Sequence, residues 1–598
     1  MATVAVPKTK LAGGSWLIED HNTQQVFTPE DFTDEHQQIA QTTEEFSLNE
    51  IVPNAEKIEH KDYELQRELL RKASEIGIAN VDVPEEYGGS EMDKVSSAIV
   101  GDRIAKNASF TTTWGAHCGI GTLPIVYFGT EDQKKRYLPR LAKAEIVGAY
   151  ALSESTSASD AMNARAKAVL SPDGKHYILN GEKMWITNGG FADLFIVFAK
   201  VDGEKFTAFI VEKTFPGFSA GKEEKKLGIR GSSTTPIILN DCKVPVENVL
   251  GEIGKGHVIA FNTLNIGRFK LGAHSVGGAR MALQQSIAYA KQRKAFGKTI
   301  SEFGLIKEML ADIAIGVYVG EALVYRTVGM IDAALSDIDK KSADASTQIR
   351  KGIEEYAVEC SILKVWGSEM IDYVVDHMVQ IYGGYGFVEE YPAERVYRDA
   401  RVNRIFEGTN EINRLIITGW LLKRAMSGQI ALLPAIKKLM DEVLAGPTIG
   451  EEFEGPLADQ RKMLTNAKKL GLLAAGIASQ KFMMALADQQ EIMGAIADMV
   501  IEGYAMDSAL LRTQKLIERN GEAASKLAIA YTQVYLQSAF EKIESCARKV
   551  VAACADGDML RTQMAIVKRL SKFEPVNVIA LRQLIADRVT EAGKYVIA

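Results

Sequence analysis

The chain's strongest candidate for proton chemistry is a carboxylate set between apolar residues and a glycine. This is Glu407, in R-I-F-E-G-T-N-E-I-N-R over residues 404–414. Thr409 has the character of a helix N-cap, and Ile412, Leu415, Ile416 and Leu422 share one stripe of the helix that would follow. Glu407 precedes that cap by two residues, and Gly408 frees the backbone to aim the carboxylate into a cavity. Ile405, Phe406 and Gly408 are expected to make the surroundings apolar. A carboxylate desolvated there has a raised pKa and becomes a better base. Taken alone, the same glutamate reads more simply as a helix-end residue facing the dipole.

Three further segments carry unusual chemistry. Residues 150–160, Y-A-L-S-E-S-T-S-A-S-D, are dense in hydroxyls and small side chains. They suit the close approach of a flat ligand with heteroatoms, although alone they read as a polar loop. Residues 181–190, G-E-K-M-W-I-T-N-G-G, put Trp185 and Thr187 on one side of an expected strand. That offers an aromatic wall with a hydroxyl, where a lone Trp is more commonly a core residue. Residues 293–297, R-K-A-F-G, put a cation beside an aromatic at a helix end. The pairing suits a pyrophosphate and an adenine, and equally a basic helix terminus. A glycine-rich run, Q-I-Y-G-G-Y-G-F-V-E-E-Y over residues 380–391, completes the set.

Other motifs fail on context. Gly297-Lys298-Thr299 ends like a phosphate loop, but the required first glycine is Gln292. No G-x-G-x-x-G opens a helix after a strand, and no H-E-x-x-H is present, so neither a Rossmann site nor a zinc hydrolase is expected, and no metal. G-F-S-A-G at 217–221 lies in a β-rich region and runs into charged residues, so Ser219 is read as a loop serine.

The elements that must position these segments fall into five stretches. Residues 1–28 read as a loose N-terminal arm. Residues 29–147 are helical, opened by a Thr33 N-cap and broken by V-P-E-E-Y-G-G. Residues 148–255 hold short β-rich runs between turn signals at Asp173-Gly174, Asn188-Gly189-Gly190 and Asp202-Gly203, which predicts an antiparallel, barrel-like sheet. Residues 256–430 suit a four-helix bundle carrying the candidate base. Residues 431–598 form an additional helical region after a linker at 445–456. The fold class is thus mainly α with a central β domain.

At 598 residues the chain needs several cores. Its composition, 46% hydrophobic and 25% charged, is that of a globular protein. A net charge of -7 gives no global attraction for nucleic acid or anionic lipid. Five scattered cysteines without a C-x-x-C pair point to a reducing compartment. No secretory signal is read at the N-terminus. The apolar run at 470–478 is too short for a membrane span.

Six motifs in order, Y-A-L-S-E-x4-S-D, K-M-W-I-T-N-G, K-L-G-I-R-G-S, R-K-A-F-G-K, Q-I-Y-G-G-Y-G-F and I-F-E-G-T-N-E, resemble the acyl-CoA dehydrogenase family over residues 33–426. The resemblance implies FAD as cofactor and an acyl-CoA, with a long chain, as substrate. Glu407 would be the base, because the place some relatives use instead is Gly267. Tyr150, Leu152, Ser153 and Ser159 would line the flavin and thioester region, and Trp185, Ile186 and Thr187 the isoalloxazine. Thr409 and Glu411 would lie near the FAD phosphates and ribose, while Arg293, Phe296, Gln380 and Gly384 would reach the FAD of a neighbouring subunit in a homodimer or homotetramer. Ser159, Arg268, Phe406 and Gly408 would contact substrate, Arg268 near the CoA.

Electrons would pass to an electron-transferring flavoprotein. An oxidase using oxygen and a non-catalytic FAD-binding scaffold are the competing readings. Ser155 and Ala158 replace the family's usual Pro and Gly in the flavin loop, and Ala295 removes a side chain some members supply. The final region resembles the added helical domain of the very-long-chain type. There Leu560, Met564, Val567, Leu570 and Phe573 share a helical face near Arg561, Lys568, Arg569 and Lys572. Packing on its own domain is the simpler reading of that face, and peripheral membrane contact is the alternative. The implied location is the cytoplasm, or the mitochondrial matrix in a eukaryote, with membrane association left open.

Overall fold

Helices begin where side-chain caps are available. The Thr33 hydroxyl accepts the His36 N–H and opens α1 (Asp34–Phe46); Asp62, Asp93, Asn107 and Thr130 cap later helices in the same way. The computed structural model describes residues 9–340, 342, 344–445 and 453–597. Before the sheet, α1 is followed by α2 (Ala55–Glu59), α3 (Tyr63–Glu75), α4 (Lys94–Ile104), α5 (Ala108–Gly115), α6 (Leu123–Phe128) and α7 (Glu131–Ala142). A π-helical turn at Ala116–Gly121 joins α5 to α6, a widening that recurs at functional sites.

The arm is not loose where it is described. Trp16 and Phe27 are buried. The Glu359 carboxylate accepts the Gly14 N–H at 2.7 Å and the Trp16 indole N–H at 3.1 Å. Further on, Glu30 and Asp31 meet Arg512 at 2.8 Å and Lys515 at 2.5 Å. The stretch is polar because it pairs with charges far along the chain, which local composition does not reveal. Residues 1–8 lie outside the described residues.

The strands are β1 (Gly148–Ala151), β2 (Lys167–Leu170), β3 (His176–Thr187), β4 (Leu194–Val201), β5 (Lys205–Glu212), β6 (Phe218–Ala220), β7 (Thr234–Pro245) and β8 (Val249–Leu250). Their order is β6-β7-β3-β2-β4-β5-β8, with β1 also paired to β4. The expectation of an antiparallel barrel is corrected: the sheet is mixed and does not close. β1 and β2 both run parallel to β4, end to end along one edge, through Gly148↔Leu194 and Lys167↔Lys200. The Asp173-Gly174 and Asp202-Gly203 turns do make hairpins, since β2 pairs β3 and β4 pairs β5 antiparallel. Asn188-Gly189-Gly190 does not, because β2 intervenes between β3 and β4. A turn motif reports a chain reversal, not which strand becomes the neighbour.

After the sheet come α8 (Gly256–Gln292), a small hairpin of β9 (Lys294–Ala295) and β10 (Lys298–Thr299), α9 (Gly304–Leu335), α10 (Ala345–Glu354), α11 (Ala357–Tyr382), α12 (Pro392–Ala400) and α13 (Asn410–Met426). The four long helices α8, α9, α11 and α13 pack as the expected bundle. The final region holds α14 (Leu432–Ala445), α15 (Ala458–Phe482), α16 (Gln490–Asn520), α17 (Lys526–Cys554), α18 (Gly557–Leu570) and α19 (Val578–Ala592). It docks on the bundle through α16 against α9 and α13, and α19 against α9. Of the expected linker, residues 446–452 lie outside the described residues.

One statement about membranes changes, and one holds. The segment Ala458–Asp488 is long and apolar enough to cross a membrane by length and composition, with 33% of its most apolar window buried. Reading only an unbroken apolar run missed it; in the structure α15 packs against α14, α16 and α17. The apolar face of α18 lies against its own domain: Val567 and Leu570 are buried, and Phe573 meets Phe540 edge-on at 5.7 Å.

Candidate functional site

Glu407 is held by a strained loop. Its φ is 59° and that of Gly408 is 80°, two left-handed residues in succession before the cap. For a residue with a Cβ this conformation costs about 1–3 kcal/mol and persists only where the surroundings impose it. Here they do. The Thr409 hydroxyl accepts the Ile412 N–H and starts α13. The Asn413 amide donates to the carbonyls of Gly408 and Thr409 at 2.8 and 3.0 Å. Arg268 Nε donates to the Glu407 carbonyl at 3.2 Å, while its Nη1 donates to Asn265 at 2.9 Å.

The carboxylate itself lies over α8 at Gly267. A Cβ on that glycine would stand 2.5 Å from Glu407 Oε2 and 2.9 Å from Oε1. Oε2 is screened from solvent and, among the described residues, has no hydrogen-bond partner. Burial raises the Glu407 pKa to about 7, against the pull of Arg268 and Lys364, which lower it. Lys364 is itself fully buried on α11, where its amine donates to Asn410 Oδ1 at 2.6 Å. Burial pushes it down to about 7, against the opposing field of Glu407. Tyr150, on β1, has a hydroxyl that is buried, without a partner, and raised in pKa by burial and by the Glu407 charge.

Glu407 opens onto a cavity of about 310 Å³. Its walls are α4–α5 and the π turn on one side, α8 from Gly267 to Gln285 on another, and α11–α12 on a third. Thr187, Phe406 and Glu407 also line it. A desolvated carboxylate facing a largely apolar space is suited to removing a weakly acidic C–H proton.

The other expected site residues divide. Thr187 and Phe406 reach this cavity. Trp185 lies beside a β-bulge with φ 58° and is 54% exposed, while Ile186 between them turns into the core. Leu152 and Ser153 are half-buried, and their carbonyls accept Lys183 Nζ at 3.2 Å and the Met184 N–H at 2.9 Å. Ser159 and Glu411 are exposed. Arg268 is buried beneath the base loop, where its Nε reaches the Glu407 carbonyl, and it is not among the residues that line the cavity. One expectation is corrected: Ile405 is 53% exposed, so of the two apolar neighbours expected around Glu407 only Phe406 lines the cavity. The left-handed turn at Glu407 rotates its side chain away from that of Ile405.

Arg293, Phe296, Gln380 and Gly384 gather elsewhere. Arg293 and Gly384 line a groove of about 490 Å³ with Tyr289, Tyr382, Tyr385 and Val388. Phe296, at the tip of the β9–β10 hairpin, is 96% exposed, and Phe387 near the groove is 85% exposed. Gln380 is exposed on the last turn of α11.

Models of the acyl-CoA dehydrogenase N-terminal, middle and C-terminal domains match residues 33–145, 149–242 and 254–422, and a further C-terminal-domain model matches 466–569. A probable acyl-CoA dehydrogenase of Bacillus subtilis (strain 168) is 48% identical over 586 residues, 98% of each chain. The chain belongs to the acyl-CoA dehydrogenase family. The crystal structure of an acyl-CoA dehydrogenase complexed with FAD from Bacillus anthracis superposes with a TM-score of 0.96 at 50% identity, covering 98% of this chain and 100% of that one. The very long-chain specific mitochondrial enzyme of Rattus norvegicus is 34% identical over 484 residues, 79% of this chain and 68% of its own.

In this acyl-CoA dehydrogenase the loop at 150–160 is pinned by a buried ion pair that motif reading passed over. Lys183 Nζ meets Glu154 Oε1 at 2.7 Å, with both side chains almost fully buried. The Arg165 and Ala166 N–H groups also donate to that carboxylate, at 2.6 and 3.1 Å, and with Lys183 they hold it below the usual carboxylate range. Replacing Lys183 with Met leaves a buried charge unpaired and should cost about 3–5 kcal/mol. Denaturant unfolding, together with the fraction of bound flavin, checks it. Lys364 was also missed, although a lysine inside the apolar run S-I-L-K-V-W-G was a visible signal.

Proposed function

We propose that this chain is an FAD-dependent dehydrogenase of long-chain acyl-CoA thioesters, with Glu407 as the base that removes the α-proton. The observation that carries this reading is the desolvated carboxylate, unpartnered among the described residues, that lies over Gly267 and lines a largely apolar cavity. The surroundings also fit the cofactor. Glu407 Oε2 and the Tyr150 hydroxyl lack partners among the described residues, and a half-exposed Trp185 stands near Thr187 on the same strand. Such a site leaves room for a flat ring with heteroatoms and for a thioester.

The chemistry FAD supplies when bound is acceptance of a hydride from the β-carbon. Glu407 takes the α-proton onto its carboxylate, the α,β double bond forms, and the product is a trans-2-enoyl thioester. The Arg268 and Asn413 contacts keep the base from swinging away from the reacting carbon. The cavity walls exclude water, which sustains the raised pKa. We assign Trp185, Ile186, Thr187, Thr409 and Glu411 to the flavin of this subunit. Arg293, Phe296, Gln380 and Gly384 are assigned to that of a neighbouring copy; their exposure and distinct groove support a shared site in a homo-oligomer. Electrons then pass to an electron-transferring flavoprotein.

Anaerobic bleaching of the flavin by saturated acyl-CoAs of rising chain length tests the reading. Bleaching that grows with length into the long-chain range supports it, and none at any length overturns it. Faster turnover with oxygen than with the flavoprotein acceptor would favour an oxidase.

The pH profile follows from Glu407. Only the carboxylate form is active, and burial has raised its pKa to about 7. Turnover should therefore rise with pH through about 7 and be lost as pH falls below it. Replacing Lys364 with Met removes a positive neighbour that lowers the Glu407 pKa, so the acidic limb should move to higher pH. Lys364→Arg, which keeps the charge, should leave it near the wild-type position. Steady-state kcat/KM from pH 5 to 9 measures both.

A further inference from the structure

The cavity wall along α8 carries polar groups that a plain hydrocarbon chain cannot satisfy. Gly267, Lys270, His274, Gly278, Met281 and Gln285 recur at helical spacing, and all line the cavity. Lys270 is already engaged: its amine donates to Asp82 Oδ2 at 2.7 Å and stands 5.7 Å above the Trp114 ring. Across the cavity, the Thr111 and Thr112 hydroxyls donate to their own helix, to the carbonyls of Asn107 at 2.9 Å and Ala108 at 2.8 Å.

Among the described residues two atoms on this wall are screened from solvent and have no partner: Gln285 Oε1 and, about three turns closer to the base, His274 Nε2. The ring is seated in place, meeting Trp114 edge-on with centroids 5.9 Å apart, and a Cβ on Gly101 or Gly115 would come within 3.3 or 3.7 Å of it. Burial and Lys270 push its pKa down to about 3, so the imidazole is neutral and offers one N–H and one lone pair. A buried polar atom left without a partner is destabilising. Folded proteins carry few of them, and those that exist call for an explanation.

We propose that His274 forms a subsite for a hydroxyl group carried in the middle of the acyl chain, so that the enzyme favours hydroxylated over unsubstituted long-chain acyl-CoA. The proposal rests on the dehydrogenase reading above. Its position is set by α8: seven residues separate Gly267, beneath the base, from His274, which is about 10 Å along the axis. A hydroxyl can both donate to and accept from a neutral imidazole.

The test uses the flavin-loaded enzyme and acyl-CoAs of one chain length, either unsubstituted or with a single hydroxyl at successive carbons. The expected result is a kcat/KM for the mid-chain hydroxylated thioester about ten times that of the unsubstituted one. The preference should peak at one or two adjacent positions. His274→Leu should bring the ratio to one or below, and His274→Gln should retain part of the preference. If either variant fails to fold, the positional peak in the wild type still decides. A ratio near one at every position, or a ratio unchanged in His274→Leu, overturns the subsite while leaving the dehydrogenase reading in place. Absence of bleaching by unsubstituted and hydroxylated thioesters alike overturns both.

Discussion

Glu407→Gln should remain folded and yellow and should bind acyl-CoA, yet bleach its flavin about 10²–10⁴ times more slowly than the wild type. The substitution keeps the shape of the side chain and removes its ability to hold the proton. The loop should not relax, because the groups that impose its left-handed backbone, Arg268, Asn413 and the Thr409 cap, act on main-chain atoms. Stopped-flow reduction under anaerobic conditions isolates the chemical step from electron transfer. Turnover at the wild-type rate would remove Glu407 from the mechanism. Loss of flavin would show that the residue supports the site rather than the reaction.

Gly267→Ala is expected to lower kcat about 10- to 100-fold without removing any functional group. The new methyl would sit 2.5–2.9 Å from the Glu407 carboxylate, closer than a Cβ can be tolerated. The base must therefore swing aside, and displacements of about 1 Å at a reacting centre cost on the order of 10² in rate. The explanation is separable from a general loss of fit by a double-mutant cycle. In a Glu407→Asp background the carboxylate is already drawn back by one methylene, so adding Gly267→Ala should cost far less than it does alone. Additive losses would mean that the glycine serves the helix or the ligand, not the base. Thermal unfolding of the four proteins checks that stability does not account for the pattern.

How much of this could be read from residues alone depends on the range of the interaction. The Thr33 and Thr409 caps were legible because each is a local contact between a hydroxyl and an N–H three residues on. Glu407 was legible because its neighbours, Gly408 and Thr409, describe the turn that aims it. What surrounds Glu407 was not. Gly267, Arg268, Tyr150 and Lys364 come from three other elements, and only the fold brings them together. Sequence reasoning looked to both Ile405 and Phe406 for an apolar setting; Phe406 lines the cavity, whereas Ile405 faces out. The mixed sheet was hidden for the same reason: β1 and β2 meet β4 from different parts of the chain, and no turn motif encodes a parallel neighbour. His274 was invisible among other helical residues until its Nε2 could be seen to lack a partner.

The seating of residues 9–31 bears on how the chain is made. Their partners are Glu359 on α11 and Arg512 and Lys515 on α16. This stretch thus has no berth until the segments that carry α11 and α16, hundreds of residues on, have been made. Until then Trp16 and Phe27 stay in water, open to proteases and chaperones. Cleavage near the start of the chain should accordingly distinguish unfinished molecules from completed ones.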